Sequence, residues 1–204
     1  MKKILISYFE PFGEEKENSS ELTVNVYFEQ YPEMKTSIFA VKLPTTFKDC
    51  ANKLIETISS ENPDIVLMFG QAAGRKNISI ERVAVNIIDA RIPDNNGEQP
   101  IDKPVIPGGK NAYFSSLPVR RIKNALEDNN IPVSISYSAG TYVCNYLFYS
   151  VMHHIETRQL NINAGFIHYP LSSMQVKENE DKPYLKQQIL VDGLNEIIKV
   201  CDRK

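Results

Sequence analysis

The hydrophobic positions fall into short β-rich runs separated by stretches of helical period. The runs predict strands over 3–8, 36–41, 64–69, 133–137 and 164–168, and a longer extended segment over 78–88. The run at 64–69 is nearly all apolar, as expected of a central strand covered on both faces. Between these runs, Phe47, Ala51, Leu54, Ile55 and Ile58 share one helical face, and Thr46 with Asp49 resembles a capping box at its start. Leu147, Phe148, Val151, Met152 and Ile155 mark a second helix, and Leu190, Leu194, Ile197, Ile198 and Cys201 a C-terminal one. A weaker pattern predicts a helix over 119–129. The alternation argues for an α/β fold: a three-layer α/β/α sandwich around a mixed, largely parallel sheet. The stretch from Asp89 to Ser116 follows neither period. It carries Pro93, Pro100, Pro104, Pro107 and the turn signal Asn95-Asn96-Gly97, and reads as a long loop at a substrate mouth or a subunit contact.

Length and charge narrow the picture. A chain of 204 residues fits one domain over 1–204. A formal net charge of -2 offers no basic field for nucleic acid or an anionic membrane. No apolar run reaches the length of a secretory h-region or the roughly 20 residues of a membrane span. The three cysteines, at 50, 144 and 201, are too few and too scattered for a disulfide framework, and no C-x-x-C pair suggests a metal. A reducing cytoplasm is the expected compartment.

The cysteines are not equivalent. Cys50 and Cys201 lie on apolar helical faces and read as small buried hydrophobes. Cys144 follows Ser138-Ala139-Gly140-Thr141 and precedes the second helical stripe, which puts it in the first turn of a helix. There, unpaired N–H groups and the helix dipole favour a thiolate and can hold an oxyanion. Position alone leaves core packing equally open. A cysteine nucleophile needs a base. His154 rides on the same helix, about 15 Å further along the axis, so neither it nor His153 reaches the thiol. His168 ends a strand; reactive groups gather at such carboxyl ends, and a helix that follows a strand opens at the same edge. Cys144 and His168 can therefore meet. Glu81 interrupts a β-rich run and has a solvated strand face as its default, while Arg91 has a surface salt bridge as its own.

Taken in order, several segments resemble one family. They are Phe9-Glu10-Pro11-Phe12-Gly13, Leu43-Pro44-Thr45, Gly70-Gln71-Ala72-Ala73-Gly74-Arg75, Glu81-Arg82-Val83-Ala84, Asp89-Ala90-Arg91-Ile92-Pro93-Asp94, Ser138-Ala139-Gly140-Thr141-Tyr142-Val143-Cys144-Asn145 and Gly165-Phe166-Ile167-His168. Set at these spacings, they resemble the pyroglutamyl peptidase type I family of cysteine peptidases, from Ile4 through the C-terminal helix.

The resemblance implies a Cys–His–Glu triad at Cys144, His168 and Glu81, with Arg91 and the Cys144 N–H at the oxyanion. It implies a lactam pocket walled by Phe9 and Phe12, with Gln71 and the Tyr142-Val143 backbone at the ring's polar edge. It further implies a pyroglutamyl peptide as substrate, no metal or cofactor, and assembly into homotetramers. Departures occur at Tyr8, Glu14, Ser19 and Tyr146, and over Leu171-Ser172-Ser173-Met174. None touches the triad, but the substituted entrance keeps a non-hydrolytic pyroglutamyl-peptide binding protein as the alternative.

Overall fold

The computed structural model describes residues 2–177 and 180–203. In chain order the elements are β1 (Ile4–Phe9), α1 (Ser19–Gln30), β2 (Ile38–Leu43), α2 (Phe47–Glu61), β3 (Ile65–Gln71), β4 (Ile78–Glu81), β5 (Val83–Val85), β6 (Ala112–Phe114), α3 (Val119–Asp128), β7 (Val133–Ser136), α4 (Val143–Thr157), β8 (Asn163–Tyr169), β9 (Leu171–Ser172), β10 (Tyr184–Leu185) and α5 (Gln187–Asp202). The main sheet has the order β2-β1-β3-β8-β4-β7. Every neighbouring pair is parallel except β4 with β8. The expected α/β sandwich and its mixed, largely parallel sheet are both present.

Side chains alternate across the strands and so sort into two layers. Leu5, Val66, Met68, Ala164 and Phe166 pack against α2 and α4. Ile4, Ile6, Ile65, Leu67, Ile78, Ile80 and Ile167 pack against α1, α3 and α5. This parity decides which polar residues share a face. Phe9 continues the row of Leu5, Gly70 that of Met68, and His168 that of Phe166. Ser79 and Glu81 are opposite in parity to Ile78 and Ile80, so they turn toward α4.

Four sequence expectations need correction. The extended segment over 78–88 is two strands. Arg82 N–H still bonds Ser136 O at 2.7 Å, after which the chain leaves the sheet and Val83–Val85 pairs antiparallel with β6. That pairing also places a strand inside the stretch from 89 to 116, which was expected to be irregular. Helix α1 escaped prediction because Thr23, Val24, Val26, Tyr27 and Phe28 read as strand formers. Its polar residues Ser19, Ser20 and Thr23 are buried, so the apolar stripe is interrupted. Its start was nonetheless marked: Asn18 caps the helix and Glu21 stands three residues on. Finally, the Thr46–Asp49 capping box does not form. Thr46 donates to the Asp49 carboxylate at 3.2 Å, and Phe47 N–H is accepted instead by Asp94 Oδ2 at 2.9 Å.

Asp94 joins the long loop to the sandwich. Its second oxygen accepts Asn96 N–H and Glu98 N–H, both at 2.9 Å, closing the Asn95-Asn96-Gly97 turn, and the residue is buried. Replacing it leaves orphaned N–H groups at a helix start and inside a turn. Asp94→Ala is expected to lower unfolding free energy by about 1–2 kcal/mol, read from the urea midpoint; a midpoint equal to wild type would remove this role.

Candidate active site

Cys144 is brought against β3, beside the strand that carries His168, by a different route from the one expected. Strand β7 is parallel to β4 and β4 antiparallel to β8, so β7 runs opposite to β8. A helix following β7 directly would start at the wrong edge. Residues 137–142 instead carry the chain back toward the carboxyl ends of β3 and β8. This loop is tied down by Asp89 N–H to Thr141 O at 3.0 Å, Thr141 Oγ1 to Asp89 O at 2.9 Å and Tyr142 O–H to Pro93 O at 2.9 Å. The first turn of α4 is clamped by Asn145, fully buried. It accepts Val85 N–H at 3.0 Å and donates to Val85 O and Ile87 O at 2.9 and 3.0 Å.

Glycine 70 makes room for the thiol. It pairs with His168 across the β3–β8 ladder. A Cβ there would lie 3.0 Å from Cys144 Sγ and 2.8 Å from the Phe166 ring. Thiol, glycine and imidazole therefore share one small region. The His168 ring lies 4.7 Å from that of Phe166, and its Nδ1 is 2.7 Å from Glu81 Oε1. Both His168 and Glu81 are buried, so the solvated strand face that was the default for Glu81 does not hold. His153 is engaged elsewhere, with Nδ1 2.8 Å from Tyr113 O–H. Cys50 and Cys201 are buried hydrophobes as expected.

Beside the thiol is a pocket of about 40 Å³, lined by Phe9, Phe12, Asn18, Thr45, Gln71, Tyr142 and Cys144. Phe9 is nearly closed to solvent and Phe12 half-buried. Tyr142 contributes its ring, packed 5.5 Å from Phe47 and 6.2 Å from Phe12. Val143 lies in the core beneath and does not line the pocket. Gln71 Oε1 accepts Ser19 N–H and Gln175 Nε2–H, both at 2.8 Å. A backbone N–H must meet an oxygen, so this fixes the amide orientation and leaves the Gln71 NH₂ as the pocket's donor. Asn18 and Gln175 were not singled out from sequence, and Thr45 was read only as part of the segment Leu43-Pro44-Thr45; for Asn18 the capping pattern was the available signal.

Three of the departures have a defined place in the fold. Tyr8 packs with the α1–α5 layer, on the face away from the pocket. Ser19 supplies an N–H that a proline at that position lacks. Tyr146 packs on Phe47, ring centroids 5.7 Å apart. Arg91 is exposed, between the Asp89–Thr141 and Tyr142–Pro93 ties, and so stands at the rim of the loop that precedes Cys144.

Burial dominates the electrostatics. It pushes the Cys144 thiol up to about 12, with the Glu81 carboxylate adding to the effect and Arg75 opposing it. The α4 dipole favours the thiolate by at most about 2 kcal/mol, too little to reverse this. Burial also holds His168 below its ordinary 6.5, against the pull of Glu81. Glu81 is itself raised by burial, but the hydrogen bond and charge of His168, with Arg75, leave it below 4.5. Burial thus favours a neutral thiol and a neutral imidazole beside a carboxylate. Both depressed groups contribute stability that is present above their unfolded values and lost as pH falls through the folded ones. The urea midpoint should therefore drop between pH 7 and 5, and more shallowly in His168→Gln; an equal slope in that variant would contradict the assignment.

A family model for pyroglutamyl peptidase matches residues 2–204. Pyrrolidone-carboxylate peptidase 1 of Caldanaerobacter subterraneus subsp. tengcongensis is 45% identical over 203 residues, covering 97% of each chain. The pyrrolidone-carboxylate peptidase of Brachyspira hyodysenteriae is 45% identical over 197 residues, with 97% of each chain covered. Among solved structures, pyroglutamyl peptidase I of Bacillus amyloliquefaciens superposes with a TM-score of 0.90 at 36% identity, covering 98% of this chain and 97% of that one. Pyrrolidone carboxyl peptidase of Thermococcus litoralis gives a TM-score of 0.90 at 38% identity, with 98% and 93% covered. With matches running end to end in both sequence and fold, the chain belongs to the pyroglutamyl peptidase family of cysteine-type hydrolases.

Proposed function

We propose that this chain removes an N-terminal pyroglutamyl residue from peptides by acyl transfer to Cys144, with His168 as base and Glu81 as its orienting carboxylate. The observation that carries the reading is the buried 2.7 Å contact of His168 Nδ1 with Glu81, on the sheet face where Cys144 Sγ abuts Gly70. Glu81 accepts a hydrogen bond from Nδ1–H, which leaves Nε2 as the basic nitrogen. No hydrogen bond links Sγ to the imidazole among the described residues; such contacts commonly tighten only when substrate is bound. Nε2 takes the thiol proton as sulfur attacks the pyroglutamyl carbonyl. The developing oxyanion faces the first turn of α4, whose N-cap residue Tyr142 makes no side-chain capping bond, so those N–H groups remain available. Arg91, free of hydrogen-bonding partners among the described residues, is assigned the second oxyanion contact from the rim. The imidazolium returns its proton to the leaving amine, and water activated by Nε2 releases pyroglutamate from the thioester.

Specificity follows from the pocket. Phe9, Phe12 and the Tyr142 ring suit the apolar body of a five-membered lactam. The Gln71 NH₂ is a donor for the lactam carbonyl, and the Tyr142 backbone carbonyl is assigned to its N–H. Proline lacks the carbonyl and leaves the donor unpaired. The departures that motivated a non-hydrolytic binder lie outside the triad. Three free thiols are in keeping with a reducing cytoplasm, and the homotetramer implied by the resemblance remains part of this proposal.

The test is release of a fluorophore from a pyroglutamyl amide. Wild type should turn over, Cys144→Ala should not, and the prolyl analogue should be poorer by about 10⁴-fold in kcat/KM. Full activity in Cys144→Ala would falsify the nucleophile. Alkylation distinguishes the resting state: labelling at Cys144 should accelerate steeply from pH 7 to 9, as a neutral thiol requires, whereas a preformed ion pair gives a flat profile.

A further inference from the structure

Arg75 has no part in the triad as read above, yet its side chain lies against it. The turn that carries it is anchored by Ala72 N–H to Tyr169 O at 2.8 Å and closed by Arg75 N–H to Ala72 O at 3.2 Å. Gly74 takes the positive φ, +90°, that the third turn position needs. The turn folds the guanidinium back over the end of β4. Nη1 donates to Glu81 Oε1 at 2.6 Å and Nη2 to Ser138 O at 3.1 Å. Oε1 is the same oxygen that faces His168 Nδ1, and Oε2 has no hydrogen-bond partner among the described residues. Ser138 begins the passage through 138–142 that delivers Cys144.

We propose that Arg75 is a positioning residue: its forked guanidinium holds the Glu81 carboxylate in place for His168 and ties that carboxylate to the loop that carries the nucleophile. The inference rests on the triad reading. Its physical basis is charge balance in a dry site. A buried carboxylate beside one imidazole draws a proton onto that imidazole, which disables it as a base. A fixed cation on the same oxygen supplies the balancing charge instead, so the carboxylate stays ionised while His168 stays neutral. The groups facing His168 are Glu81 from β4, Arg75 from the β3–β4 turn and the Cys144 thiol from α4; Arg75 is the cation among them and opposes an imidazolium. Lysine could supply the charge, but from one nitrogen and without the rigid fork that reaches acceptors on two segments from separate nitrogens.

The experiment compares kcat, KM and the pH profile of kcat/KM in wild type, Arg75→Gln, Arg75→Lys, Glu81→Gln and the double variant Arg75→Gln/Glu81→Gln. In Arg75→Gln, kcat should fall about 10- to 100-fold with KM changed less than about threefold. Its acid limb should move to higher pH, because His168 then protonates more readily; loss of folded protein cannot move that limb. Arg75→Lys should keep the limb at the wild-type position while losing part of kcat. Added to Glu81→Gln, the arginine change should cost less than about threefold further, since residues acting through one another are not additive. An unmoved limb in Arg75→Gln, or an undiminished loss on the Glu81→Gln background, overturns the proposal. Wild-type activity in Glu81→Gln would instead remove the triad reading beneath it.

Discussion

The site is organised around a carboxylate that has no access to water. The Glu81 side chain is fully buried at the end of β4. A buried carboxylate is tolerated only where paired and hydrogen-bonded. Here the pairing comes from His168 on one side and Arg75 on the other. That requirement constrains much of what surrounds it. It calls for β8 beside β4 in the sheet, for the turn after β3 to fold back, and for residues 137–142 to pass close enough for Arg75 to reach Ser138. The contact that fixes the imidazole also helps to satisfy the buried charge.

The layer parity of the sheet does the gathering. Phe9, Gly70, His168 and Glu81 come from four strands, yet each points to the α2–α4 side because each alternates with a residue packed in the opposite layer. Helix α4 closes this face with Cys144 at its start. The absent Cβ of Gly70 is then a steric condition of the arrangement, since any side chain there meets sulfur and the Phe166 ring at once. The antiparallel β4–β8 pair sets Ser79 opposite His168, which leaves Glu81 diagonally placed, within reach of Nδ1.

Around the pocket, hydrogen bonds among distant segments add to the aromatic packing. Asp94 starts α2 and closes its own turn. Glu10 accepts Thr45 N–H and the Asn95 amide, joining the first loop to the long one. Gln175 bonds Gln71, Glu17 O and Ser172 N–H, so the segment after β8 supports the pocket's donor. The stretch from Asp89 to Ser116 is thus sewn to the entrance at Pro93–Asn95, in keeping with a substrate mouth for that part.

The layered architecture and most elements were legible because apolar periodicity is local: β3 is apolar throughout, and α2, α4 and α5 carry stripes of helical spacing. Cys144 stood apart from Cys50 and Cys201 by its place at a helix start, and His153 and His154 were excluded by helical rise alone. Helix α1 was hidden because its buried face is partly serine and threonine, whose burial depends on partners elsewhere in the chain. Glu81 could not be chosen from among the carboxylates by pattern, since what distinguishes it is burial against His168, 87 residues away. The same holds for Arg75, Gln175 and Asn145. Their roles are contacts between segments brought together by strand order and by one antiparallel pair, and periodicity along a chain carries no information about which strands will be neighbours.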